Sequence, residues 1–336
     1  MIVVCGEMLM DLVPARAAGT DDVSPGGGPA YDVRPGGGPA NVAVALARLG
    51  VDAALLGRLA GDRFGGLLRE HLRASGVTLD LIAPSEAPTT LAVIGLDPAG
   101  VATYDFYIDG CADGGWRPDE LPADLVPHAA LHVSGSLALP VATMGDTIET
   151  LLMRERPRRV ITFDPNIRPS LARDEQAVRA RLERWLGLAD IVKASAEDLE
   201  WISPGRPIEA VARDWREMGP TLVVVTRGGQ GVHAVGPTGA VDLPAEPVTV
   251  VDTVGAGDAF MAGLLAMFEQ AGRLTRPRLA ALTTDELRTA LAHAQRVAAL
   301  TCTRVGADPP WRHELLNHPA NPPDDQPKPA ETGPTG

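Results

Sequence analysis

Lysine is nearly missing from this chain. Two residues, Lys193 and Lys328, serve 336 positions, and arginine supplies the rest of the basic side chains. A phosphate loop of the form G-x-x-x-x-G-K-[ST] is thereby excluded, because that loop needs its lysine. Bound phosphate would have to rest on backbone amides, arginine or metal. Aromatic residues are scarce as well, at 4%, so a core drawn from the 45% apolar content must be aliphatic. Net charge is −13 and no basic run occurs, which argues against nucleic acid or an anionic membrane as partner. Cys5, Cys111 and Cys302 are odd in number and unpatterned, as expected of a reduced, cytoplasmic chain rather than a disulfide framework or a zinc site. No apolar run reaches membrane-spanning length, and Met1-Ile-Val-Val-Cys-Gly6 reads as a buried strand without a basic leader. The length suits one large α/β domain or two small ones.

What is present in abundance is glycine beside β-branched runs. In Asp252-Thr-Val-Gly-Ala-Gly-Asp-Ala-Phe260, a β-branched run (248–251) precedes and an apolar helical pattern follows. This predicts strand, glycine turn and helix. Gly255 and Gly257 would let amides converge on one space, where the new helix adds its positive end. Asp258 then stands beside a site suited to negative charge. Such a carboxylate is explained if it takes a proton from a hydroxyl attacking a phosphoryl group held on those amides. An ordinary Asp cap after a tight turn is the alternative for an isolated G-x-G-D.

A short duplication occupies 24–43: Ser24-Pro-Gly-Gly-Gly-Pro-Ala-Tyr-Asp-Val33, then Arg34-Pro-Gly-Gly-Gly-Pro-Ala-Asn-Val-Ala43. Only the second copy leads into a helical pattern, Asn41 to Leu49, closed by Gly50. The second triple glycine is therefore the expected site and the first a flexible loop. Asp11 interrupts an apolar stretch, 8–13, as either a turn carboxylate or a ligand. Gly61-Asp-Arg-Phe-Gly65 reads as a plain strand–helix connection. Residues 89–107 form a predicted hairpin turning at Pro98-Ala-Gly100, with Tyr104, Phe106 and Tyr107 clustered at its end. Strands predicted at 131–134, 160–163, 191–193 and 221–226 alternate with amphipathic helices, which argues for a parallel sheet. The candidate residues follow strand C-termini, where open α/β sheets bind ligands. A helix is expected over 287–299 and a polar turn over 301–307. From Asn317 six prolines fall in twenty residues, the composition of a disordered tail.

Asp252–Phe260 and Gly36-Gly-Gly-Pro-Ala-Asn41 together resemble the two signatures of the ribokinase-like (PfkB) carbohydrate kinases, in order and at family spacing over residues 1 to about 315. The resemblance implies an α/β fold, a central mostly parallel sheet flanked by helices, with a small β-sheet lid inserted at about 8–35 and 89–110. It makes Asp258 the catalytic base and the Gly255, Ala256 and Gly257 amides the phosphoryl cradle. Gly36, Gly37, Asn41, Asp11, Phe106 and Tyr107 would meet the sugar. Arg168, in Asp164-Pro-Asn-Ile-Arg168, would reach donor or substrate. Thr226, Gly228, Gly229 and Gly231 would hold the nucleotide, with His293 at the adenine. Ser195 and Asp198 stand where the family has N-x-x-E, which organises Mg²⁺ and phosphate; the shorter side chains alter the reach. Asp252, Val254, Arg304 and Gly306 match a monovalent-cation (K⁺) site. ATP and a small sugar are the implied partners, with a homodimer formed through the lid. Gly6-Glu-Met-Leu-Met-Asp11 and the Phe106-Tyr107 lid most resemble the fructokinase branch. The rivals are 2-keto-3-deoxygluconate kinase, whose relatives usually carry arginine where Ile108 stands, a nucleoside or ribose kinase, and a catalytically silent sugar- or nucleotide-binding regulator.

Overall fold

The computed structural model describes residues 1–15, 30–96, 102–125 and 130–317. Among these residues the strands form two sheets. Across the large one run β13 (Gly239–Leu243), β12 (Val232–Gly236), β11 (Leu222–Thr226), β10 (Ile191–Ser195), β9 (Val160–Asp164), β8 (Ala130–Ser134), β1 (Ile2–Cys5), β4 (Ala53–Ala60) and β5 (Thr78–Ser85). Every pair from β11 to β5 is parallel, and only the β11–β12 and β12–β13 pairs are antiparallel. The small sheet has the order β3 (Tyr31–Gly36), β2 (Leu9–Pro14), β6 (Leu91–Leu96), β7 (Ala102–Tyr107). This is the α/β architecture that the alternating pattern predicts.

The central strands are buried on both faces, so they read as mostly apolar runs rather than as alternations. In β1, Ile2 and Val4 pack into one core and Val3 and Cys5 into the other. The first core is completed by α1 (Gly38–Arg48), α2 (Arg63–Ala74), α7 (Ala256–Gln270) and α9 (Thr284–Cys302). The second is covered by α3 (Ala142–Glu155), α4 (Glu175–Leu188), α5 (Ala196–Ile202) and α6 (Ile208–Glu217). Two short helices, α8 (Arg276–Ala280) and α10 (Arg312–Asn317), lie toward the C-terminus. Strand order reverses direction around β1 and β8, where a crevice opens at the carboxyl ends of the strands.

Several local expectations change. Residues 248–251 form no strand; Val250 and Val251 are exposed on an extended segment after β13, and the Val251 amide donates to the Cys302 carbonyl at 2.8 Å. Pro244 and Pro247 remove ladder donors there, so β-branched residues alone do not make a strand. The first helix begins at Gly38, with Pro39 in its opening turn, three residues before Asn41. Tyr31 to Gly36 forms one strand that joins the end of the first glycine copy to the start of the second. Its Pro35 is accommodated because β3 is an edge. The first triple glycine, the hairpin turn at 98–100 and residues 318–336 lie outside the described residues. Asp62 caps α2 by accepting from the Gly65 amide, and it also accepts from the Thr89 amide, so 61–65 is a strand–helix connection tied to the start of the lid hairpin. No described helix is long and apolar enough to cross a membrane.

Asp113, in the turn after β7, is 2% exposed and accepts from the Met8 amide, fastening that turn to the chain just before β2. Burial pushes its carboxyl up to about 7, against the pull of the Thr90 hydroxyl, with Glu7 adding to the rise. A carboxyl raised in the folded state contributes stability below its unfolded pKa of about 4 and loses it as pH climbs through the folded value. Asp113→Asn is therefore expected to flatten the fall in unfolding midpoint between roughly pH 4 and pH 7. Thermal melts across that range check it; an unchanged slope would rule Asp113 out as a cause.

Candidate active site

The N-terminus of α7 forms the floor of the crevice. Gly255 has φ +75°, and a Cβ there would stand 2.6 Å from the Cβ of Ala307, so only glycine allows this sharp entry into the helix. First-turn amides lack intrahelical acceptors and carry the positive end of the helix dipole. The Ala256 amide, however, donates to the Thr253 carbonyl at 3.2 Å, which leaves Gly255 and Gly257 as the better placed of the three cradle residues. Asp258 is the third residue of α7, and its Oδ2 accepts from Asn41 Nδ2 at 2.9 Å. Burial raises its pKa; the Asn41 bond and then Lys193 and Arg168 pull it back. The result is a carboxylate more basic than usual and oriented by an amide from α1.

Two cavities meet at this helix end. The larger, about 680 Å³, lies against the 245–250 segment, the glycine turn after β11 and α9. The smaller, about 260 Å³, lies between α1, the lid and the strand ends, and Asp258 belongs to its wall. Asn166, Arg168, Lys193, Thr253 and Gly257 border both. A group held at that junction would touch Gly257 while facing Asp258.

Of the residues expected to meet a sugar, Asp11, Gly37, Asn41, Phe106, Arg168 and Asp258 line the smaller cavity. Burial pushes Asp11 up to about 7, with Arg168 opposing. Two placements differ from expectation. Tyr107 is 61% exposed; the wall of the cavity carries Tyr104 and Phe106, because strand side chains alternate and 104 and 106 share a face. Gly36 does not line the cavity. It ends β3, and a Cβ there would collide with the Asp11 carboxylate, so its role is to make room for Asp11. Gly38 takes the expected place beside Gly37, and a Cβ on it would come within 2.9 Å of Asn166 Nδ2. Glu7, Ser136 and Asn166 also line the cavity; Glu7 and Asn166 lie inside the stretches 6–11 and 164–168 without being singled out by them, and Ser136 lies in neither. Ser136 Oγ donates to Glu7 Oε1 and lies 3.1 Å from Ser134 Oγ, which Asn166 reaches at 3.4 Å. Asn166 has φ +44°, the one described non-glycine residue with positive φ.

On the other side, Thr226, Gly228, Gly229 and Gly231 line the larger cavity as expected. His293 does not. The face of α9 toward the cavity is Gln295, Ala298, Ala299 and Cys302, a stripe at i, i+3, i+4 and i+7, and His293 lies two residues off it. Ser195 and Asp198 both line the cavity, yet they also form a reciprocal cap on α5. Asp198 Oδ2 accepts from the Ser195 amide and hydroxyl, and its Oδ1 accepts from the Ile167 amide. No group of three or more His, Cys, Asp or Glu side chains among the described residues could hold a metal. A single carboxylate suits a divalent ion carried mainly by phosphate oxygens and water. Asp252 accepts from the Val254 amide at 3.1 Å and the Gly306 amide at 2.8 Å, which brings the two turns of the expected K⁺ site together. Arg304 turns its guanidinium to Glu314, so only its backbone is available there.

Comparison with known proteins gives this geometry its relatives. Residues 1–314 match the model of the pfkB family carbohydrate kinases. A fructokinase from Rhizobium leguminosarum bv. trifolii is 39% identical over 289 residues, 86% of this chain and 86% of its own. The crystal structure of a Xylella fastidiosa fructokinase with bound ATP superposes with TM-score 0.84 at 29% identity, covering 94% of this chain and 97% of that one. A double-mutant fructokinase from Vibrio cholerae O395, in a fructose-, ADP- and potassium-bound form, superposes with TM-score 0.80 at 27% identity, covering 94% and 97%. With its helix-end cradle, its buried carboxylate and a family match over nearly all described residues, the chain belongs to the pfkB family of carbohydrate kinases.

Proposed function

We propose that this protein is an ATP-dependent fructokinase that transfers the γ-phosphoryl group of ATP to a primary hydroxyl of the sugar. The observation that carries the reading is the place of Asp258, in the wall of the smaller cavity and next to Gly257, which borders both. ATP occupies the larger cavity with its γ-phosphate at the α7 N-terminus. The sugar occupies the smaller one, where Asp11, Asn41, Glu7 and Ser136 offer donors and acceptors to its hydroxyls. Asp258 takes the hydroxyl proton as the sugar oxygen bonds to the γ-phosphorus. The bond from that phosphorus to the β–γ bridging oxygen breaks, and ADP leaves with the electron pair. Amides of Gly255 and Gly257 and the dipole of α7 stabilise charge on the group in transfer.

Fructose as the sugar is supported by the fructokinase relatives. Ile108, buried in the core, offers no cation to an acidic sugar, which counts against 2-keto-3-deoxygluconate without itself selecting fructose. Mg²⁺, when bound with ATP, supplies neutralising charge on the donor phosphates, with Asp198 the nearest candidate to hold its hydration shell. K⁺ would sit at Asp252, Val254, Arg304 and Gly306. The protein would work in the cytoplasm as a homodimer joined through the lid, whose Tyr31, Val33 and Tyr107 are exposed.

Three outcomes are expected. Asp258→Asn should retain ATP binding while kcat falls by roughly 10²–10⁴, the range for loss of a general base; steady-state kinetics with calorimetry check it, and near-normal turnover would reduce Asp258 to a helix residue. Because the Asn41 bond favours the ionised form of Asp258, Asn41→Ala should move the acid limb of kcat to higher pH and raise sugar KM about ten- to a hundredfold. A pH–rate profile decides this, an unmoved limb counting against it. ADP release over fructose, ribose, 2-keto-3-deoxygluconate and adenosine should be fastest with fructose and faster in K⁺ than in Na⁺ at equal ionic strength. A preference for another acceptor would replace the substrate, and equal rates in both salts would remove the cation site.

A further inference from the structure

Lys193 is 4% exposed on β10, two residues before the strand ends, and it is the one lysine among the described residues. Its Nζ donates to Asp164 Oδ2 at 2.5 Å, with Asp164 closing β9 on the neighbouring strand. An ammonium has three donors, and this is the one hydrogen bond Lys193 makes to described residues. The side chain borders both cavities. It also faces the glycine cradle directly, since a Cβ on Gly257 would stand 3.0 Å from Nζ. Burial pulls the ammonium toward neutrality, but Asp164, Asp258 and Asp198 outweigh it and its pKa is raised, so the group is charged. On the far side His132 packs against Thr162, and burial, then Lys193, hold its pKa near 3; that imidazole adds no competing charge.

Two readings fit a buried lysine. A purely structural ion pair would satisfy Asp164 and nothing more, and buried pairs contribute little net stability. The place of this one, at the single junction between the cavities with two donors to spare, goes beyond that. We propose that Lys193 is a further catalytic residue, whose ammonium binds a γ-phosphoryl oxygen of ATP opposite the Gly257 amide and follows the group as it passes to the acceptor. Asp164 is then the positioning residue that fixes the ammonium against the cradle. The chain without a P-loop thus obtains a lysine–phosphate contact from a strand rather than from a loop. No proton leaves Lys193 in this step; it stabilises the charge that the transferring group carries between the two oxygens. This inference rests on the kinase reading of the same site.

Lys193→Met alone strands a buried carboxylate and risks misfolding. The double variant Lys193→Met/Asp164→Asn removes both charges and keeps the test open. Calorimetry with ADP and with the non-hydrolysable β,γ-imido analogue of ATP reads the contact without turnover. Wild type should bind the triphosphate more tightly than the diphosphate, and the double variant should lose that preference by about ten- to a hundredfold, the range for one charge-assisted hydrogen bond. Its kcat should fall on the order of a hundredfold or more while the sugar KM changes little. Unchanged discrimination with unchanged kcat would overturn the proposal and leave Lys193 a structural ion pair. A lowered kcat with intact triphosphate preference would also overturn it. Should wild type phosphorylate no sugar, the kinase reading fails, whereas the two binding constants still decide whether Lys193 holds the third phosphate.

Discussion

The bond from Asn41 to Asp258 joins residues 217 positions apart and is the contact on which the site depends. It couples the first turns of α1 and α7, so that a helix bordering the smaller cavity and the helix whose N-terminus meets both cavities share one carboxylate. Neither helix could shift along its axis without losing it. The parallel sheet makes this possible by delivering both helix starts to the same edge, together with the ends of β1, β8, β9, β10 and β11. Desolvation is the consequence, and also the working condition. Glu7, Asp11 and Asp258 are all raised by burial around one cavity, and Arg168 pulls each of them back. A carboxylate raised by burial is a stronger base than one at a wet surface.

Much of the fold was legible because the sheet is buried on both sides. Aliphatic runs such as 2–5 and 222–225 read as central strands, and the structure puts strands there. The run 248–251 is as β-branched and is no strand, because Pro244 and Pro247 precede it and it pairs with no strand. Composition reports the preference of a segment and is silent about partners.

Within the site, residues whose role follows from local geometry were legible, and residues whose role depends on the sheet order were not, even inside a recognisable stretch. Asp258, Asn41 and the glycines after β11 could be named because each belongs to a run whose geometry is local. Choosing between Tyr104 and Tyr107 needs only the period of a strand, and choosing Gln295 over His293 only the period of a helix. Both placements follow from the direction side chains take along their element. Glu7, Ser136, Asn166 and Lys193 are different. They stand one apiece near the ends of separate strands, and nothing short of the sheet order brings them together. The left-handed backbone of Asn166 belongs with them: asparagine tolerates it, but composition does not say which asparagine adopts it.

The burial of Lys193 has a practical side. With that amine enclosed against Asp164, the remaining primary amines of the chain are Lys328 and the α-amine of Met1, which is itself paired with Glu269. The positive charge of the chain is otherwise carried by arginine. Reagents that target amines, from acylating labels to cross-linkers and activated resins, would thus find almost nothing to attack across the body of the enzyme. Among the described side chains, amine coupling would therefore leave the walls of both cavities unmodified.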